Sequence, residues 1–85
     1  MDTTIVDSVA AGSVLIVALP ERLKGELIME YKPIRLPAMG WMADRSFFWR
    51  LPSDAQGNYR FEFRAVRDGA SEIVHLRVFV LPADA

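Results

Sequence analysis

The chain has no cysteine in its 85 residues, which excludes a disulfide framework, a thiolate zinc site and a cysteine nucleophile. It has one histidine, His75, with no second histidine or carboxylate at a ligand spacing, so a packed or surface imidazole is expected there rather than a metal ligand or a general base. Charge of one sign is also lacking: 10 Lys and Arg against 11 Asp and Glu leave a net charge of −1, too little to steer the chain onto a phosphate backbone, so nucleic acid is not an expected partner. The longest apolar stretch, Val9 to Leu19, is interrupted by Gly12 and Ser13 and is too short to cross a bilayer, so no membrane insertion is expected. The opening Met1-Asp2-Thr3-Thr4 lacks the basic flank of a secretory signal, and export of a parent protein would need a signal outside this chain. No Gly-rich phosphate loop is present, and Ser46, Ser53 and Ser71 lack a nucleophile-elbow context. No catalytic residue, metal site or cofactor is therefore expected.

What the chain does have is apolar content, 52%, distributed in short segments. That is a globular composition, and 85 residues suffice for one domain spanning 1–85. Prolines at 20, 33, 37, 52 and 82 mark places where a strand should stop, because each lacks a ladder N–H. Thr3 to Asp7 is β-branched and predicts a short first strand. Ser13 to Leu19 is apolar on both alternating faces and predicts a strand covered on two sides. Tyr59 to Arg67 alternates, with Tyr59, Phe61, Phe63 and Ala65 on one face. Ile73 to Leu81 repeats the pattern with Val74, Leu76, Val78 and Val80, and Asp68-Gly69 between the two predicts a hairpin. In Pro20 to Tyr31, Leu23, Leu27 and Tyr31 recur at helical spacing, which leaves a short helix as one reading; Gly25 weakens it, and a turn followed by a strand from Leu27 to Tyr31 is the other.

Together these segments predict an all-β, immunoglobulin-like antiparallel sandwich of about seven strands, possessing at most one short helix near residues 20–31. Its expected core is Val14, Ile16, Trp49, Tyr59, Phe61, Phe63, Leu76 and Val78. Asp54 to Tyr59 has the form of the corner that opens the penultimate strand of such sandwiches, where a tyrosine hydroxyl bonds back to nearby backbone.

The ordered set Phe48-Trp49, Pro52, Gly57, Tyr59, Phe61, Asp68-Gly69 and Val78-Phe79-Val80, preceded by Leu36-Pro37-Ala38-Met39-Gly40, resembles the immunoglobulin-like, dystroglycan-type cadherin-like domains of bacterial secreted and cell-surface proteins. The resemblance covers roughly Leu36 to Leu81. It implies a non-catalytic module, a spacer and protein-interaction domain of a larger extracellular or cell-surface protein. Calcium-binding members carry an early Asp run; the corresponding Ala18 to Glu26 offers only Glu21 and Glu26, with Arg22 and Lys24 interleaved.

Five apolar residues are expected to face a partner: Met39, Trp41 and Met42 in a loop, and Phe79 and Leu81 on an outward strand face. The occupant would be a neighbouring domain, a protein partner or a second copy in a homodimer. Exposed aromatics around Trp41 leave a glycan as the alternative, since an indole face stacks on sugar rings as readily as it anchors a protein.

Overall fold

The structure, a computed structural model, describes residues 3–82. All regular elements among them are strands: β1 (Thr3–Ala10), β2 (Val14–Ala18), β3 (Arg22–Leu23), β4 (Glu26–Leu27), β5 (Glu30–Arg35), β6 (Gly40–Ala43), β7 (Ser46–Arg50), β8 (Gly57–Arg67) and β9 (Ala70–Leu81). They form a four-stranded sheet in the order β1-β9-β8-β5, a three-stranded sheet β2-β7-β6 and the small hairpin β3-β4. The fold is all-β with several sheets, consistent with a β-sandwich.

The long β8–β9 hairpin follows from its sequence. Two alternating runs meet at Asp68-Gly69, Arg67 pairs Ala70, and Gly69 takes the left-handed conformation at φ 76°. Alternation sends Phe61, Phe63 and Ala65 of β8 and Val74, Leu76 and Val78 of β9 into the interior. From the opposite sheet Phe47 and Trp49 of β7 meet them: Phe47 packs tilted and edge-on against Phe61 and Phe63 at 5.5 Å, and Trp49 sits edge-on to Phe61 at 5.1 Å. Burying a side chain such as Phe47 contributes about 2–3 kcal/mol.

The three-stranded sheet reverses the expected core face of β2. Leu15 and Val17 are buried at 5% and 7% exposure, while Val14 and Ile16, expected in the core, are exposed at 52% and 61%. The register gives the reason: Leu15 lies beside Trp49 and Val17 beside Phe47, so the odd residues share the inward face of their large neighbours. With apolar residues at both phases, the alternation of β2 alone cannot select one.

Residues 20–31 contain no helix. Lys24 and Gly25 both have positive φ, 53° and 83°, between the paired Leu23 and Glu26, which is the geometry of a two-residue type I′ hairpin. Of Met39 to Met42, expected in a loop, Met39 lies in a turn, whereas Gly40 to Met42 belong to the edge strand β6, paired with β7. Pro33 does not end its strand but lies inside β5, an edge position, next to a register shift between Pro33 and Arg35.

Candidate functional site

The edge of the three-stranded sheet and the facing edge of the four-stranded sheet leave a cleft of about 720 Å³ on the side of the molecule where β6 and β5 end their sheets. Gly40, Trp41 and Met42 line one wall, and Leu27 to Tyr31 with Pro33 line the other. Glu21, Glu30, Asp44 and Arg45 supply charge at its margins. Trp41 is half exposed, Met29 is 70% exposed, and Met39 stands exposed just before β6 in the left-handed conformation at φ 65°.

Trp41 is held by its cross-strand neighbour Phe48: the rings are 5.4 Å apart between centroids with planes within 11°. Near-parallel rings this close must overlap face to face with an offset, because coplanar rings side by side would be farther apart. Phe48 therefore covers one face of the indole. The other face turns away from β7, toward the free edge of β6 and the cleft.

Beyond Phe48 the same row continues to Ile16, which pairs with Phe48 across β2 and β7. Ile16, Phe48 and Trp41 thus form an apolar stripe across the outer face of the sheet, flanked by exposed Val14 and Met39. Met42 points the other way and packs against the core. Of the five expected partner-facing residues, the structure brings Trp41 and Met42 to the cleft, and Met39 stands exposed outside it, just before β6. Phe79 and Leu81 belong elsewhere, on the outer face of the four-stranded sheet, where the Arg77 guanidinium lies 5.6 Å from the Phe79 ring centroid. Ile16, Leu27 and Met29 were not expected at a surface; their signal in the sequence was the excess of apolar residues over what one side of a thin sheet can bury.

Glu72 and His75 make cross-strand contacts within the four-stranded sheet and to its neighbours. Glu72, three residues after the Asp68-Gly69 turn, is buried and accepts hydrogen bonds from Arg67 (2.6 Å), Thr3 Oγ1 (3.0 Å) and Lys24 Nζ (3.4 Å). Burial pushes its carboxyl up, but the hydrogen bonds from Arg67, Thr3 and Lys24 outweigh it and hold the group below its ordinary value of 4.5. It ties β1, the β3–β4 turn and the β8–β9 hairpin together. His75 Nδ1 lies 3.5 Å from Glu62, its cross-strand partner. The tyrosine hydroxyl that bonds back to backbone is that of Tyr31, which donates to the Pro20 carbonyl at 2.6 Å; Tyr59 instead packs its ring edge-on to Trp49 at 4.9 Å. Burial of Tyr31 raises its pKa, opposed by nearby Arg45 and reinforced by Glu72. Among the described residues, no group of three His, Asp or Glu side chains is placed to hold a metal ion, and the buried Trp49 indole N–H meets no acceptor.

Comparison with protein-family models and with curated proteins finds no match. Among solved structures the fold is similar to part of a sialyltransferase from Photobacterium damsela, with a TM-score of 0.61 and 14% identity over 95% of this chain. The match spans 18% of that protein, so this chain corresponds to less than a fifth of its length. At that identity the likeness is one of fold alone.

Proposed function

We propose that the chain is a non-catalytic, immunoglobulin-like module that serves as spacer and protein-interaction domain within a larger extracellular or cell-surface protein. The reading of the fold is supported by strand order: β2, β7 and β6 facing β5, β8 and β9 correspond to the B-E-D and C-F-G sheets of an immunoglobulin sandwich. Seven strands then carry the sandwich, with β1 beside β9 and the β3–β4 hairpin as an addition between the second and third strands.

The observation that carries the functional reading is the parallel pairing of β1 with β9, Thr3 against Val74 through Ala10 against Leu81. Parallel first and last strands put the start of one and the end of the other at opposite ends of the sheet. With about 3.3 Å per residue, Thr3 and Leu81 are separated along the strand direction by roughly 20–25 Å. A polypeptide passing through the module therefore enters at one end and leaves at the other, as a bead in a linear array requires. The elongated shape, 46 Å in its longest dimension, suits the same role, and the stripe of exposed Ile16 and Trp41 with half-buried Phe48 between them offers the contact surface. Occurrence of a similar fold as a minor portion of a much longer protein is in keeping with a module.

Two copies fused in tandem test this: small-angle scattering should show a maximum dimension approaching twice that of one copy. A dimension close to that of a single copy would reject the linear arrangement.

A second reading, a carbohydrate-binding module, is favoured by the free face of Trp41 beside the Glu21, Glu30, Asp44 and Arg45 polar groups in one cleft. Sugar binding commonly joins an aromatic platform to hydrogen-bonding carboxylates. Glycan-array binding that disappears in Trp41→Ala would establish it in place of the protein-interaction role.

A further inference from the structure

The free edge of β2 is where the backbone of this molecule is least protected. Two hydrogen bonds flank the strand, from Leu51 N–H to Ser13 O (3.0 Å) and from Leu19 N–H to the Arg45 carbonyl (2.8 Å). In the β2–β7 register these place Ser13 and Leu19 among the residues that exchange bonds with β7. Antiparallel pairing alternates such residues with ones whose N–H and C=O point away. Leu15 and Val17 therefore bond to β7, and Val14, Ile16 and Ala18 direct six backbone groups outward from the sheet edge. Among the described residues no strand pairs with β2 on that side.

The other edges are blunted. β5 contains Pro33 and a register shift. On β1 the Asp7 carboxylate accepts the Ser8 N–H at 2.8 Å and puts a charge at the strand. On β6 the Gly40 N–H already donates to the Pro37 carbonyl at 3.1 Å, which leaves Met42 as the one residue with both groups free for an edge partner. β2, Val14-Leu15-Ile16-Val17-Ala18, has no charge, no proline and no register shift, the devices by which edge strands avoid one another.

We propose that β2 pairs antiparallel with the β2 of a second copy of this chain, about a two-fold axis at Ile16. The edge is self-complementary in that register: Ile16 exchanges two bonds with its counterpart, and Val14 and Ala18 exchange two more at each end, so all six outward groups are satisfied. Pairing at any neighbouring residue would leave some of them over. The dimer joins the two three-stranded sheets into one of six, and the Ile16, Phe48, Trp41 row becomes continuous across the axis. An uncharged edge meets an uncharged edge without like-charge repulsion. Five residues per chain bury much less than the roughly 800 Å² per partner of a standard stable interface, so association is weak, with a dissociation constant on the order of 10 µM. The pairing uses the opposite edge of the sheet from the Trp41 cleft and does not depend on what that cleft binds.

Sedimentation velocity of the full chain tests it: dimer at about 100 µM and monomer at about 1 µM are expected. Ile16→Pro removes the central donor without touching a β2–β7 bond, and Ile16→Lys places two ammonium groups against each other across the axis. Both should be largely monomeric at about 100 µM, with a dissociation constant raised about a hundredfold or more, whereas Trp41→Ala should dimerise as the unsubstituted chain does. Amide exchange supplies an independent reading: the Ile16 N–H should gain protection as concentration rises, while those of Leu15 and Val17 are protected at every concentration. A monomer at about 100 µM, or an Ile16→Lys chain that dimerises normally, would overturn the proposal. So would dimerisation abolished by Trp41→Ala and unaffected at Ile16.

Discussion

Three side chains carry more of the architecture than their type announces. Tyr31 anchors the start of β5 through its 2.6 Å bond to Pro20 O. Tyr31→Phe should lower stability by about 1 kcal/mol, whereas Tyr59→Phe should cost under about 0.5 kcal/mol because Tyr59 contributes its ring. Urea midpoints separate the two. The Gly-x-Tyr motif pointed to Tyr59, and nothing local distinguishes the tyrosine that reaches a carbonyl 11 residues back from the one that does not. Glu72 shows the same limit: as a residue near Asp-Gly it reads as a solvated acid, and only the fold brings Thr3, Lys24 and Arg67 to it. Its folded pKa is depressed, so its contribution is present above the ordinary value of 4.5 and is lost as pH falls through the lower folded value. The stability difference between the unsubstituted chain and Glu72→Gln should therefore be constant from pH 7 to pH 5 and shrink in more acid solution. A difference unchanged at the lowest pH that permits folding would contradict the charged hydrogen bonds. Trp49, whose buried N–H finds no acceptor, should accept Phe at a cost below about 1.5 kcal/mol, against about 3–5 kcal/mol for Trp49→Ala.

At the scale of elements, β8 and β9 were legible in the sequence, because strict alternation and an Asp-Gly turn together determine faces and partner. The hairpin β3–β4 was not. Its turn is Lys24-Gly25, and lysine is an uncommon residue at φ 53°, so the helical spacing of Leu23, Leu27 and Tyr31 competed with it. The conformation makes a prediction. Lys24→Asn should leave stability unchanged or raise it by a few tenths of a kcal/mol, since asparagine tolerates the left-handed region, although loss of the Glu72 ion pair offsets part of the gain. Gly25→Ala should cost about 1 kcal/mol, because φ 83° suits no side chain even though no atom stands within 4 Å of a Cβ there. Thermal unfolding of the two variants checks the turn. The strand β6 was missed for a related reason: four residues, Gly-Trp-Met-Ala, carry too little periodicity to announce a strand, and the pairing with β7 makes it one.

For the whole molecule, the sandwich follows from one decision, which face of each sheet turns inward. The aromatic residues of β7 and β8 settle it for most of the core, and Phe47 and Trp49 carry β2 with them. The candidate surface was legible in part: Met39 and Trp41 are recognisable as apolar residues in excess of the core, but their continuity with Phe48 and Ile16 exists only once β2, β7 and β6 are in register. Both the proposed contact stripe and the proposed edge pairing depend on β2 turning Leu15 and Val17 inward and Val14 and Ile16 outward. The most direct test compares Leu15→Ala with Ile16→Ala by equilibrium urea unfolding at about 1 µM, where the chain is monomeric. Leu15→Ala should lose about 2–5 kcal/mol and Ile16→Ala less than about 1 kcal/mol. The reverse order would place Ile16 in the core and remove the apolar stripe proposed as the contact surface.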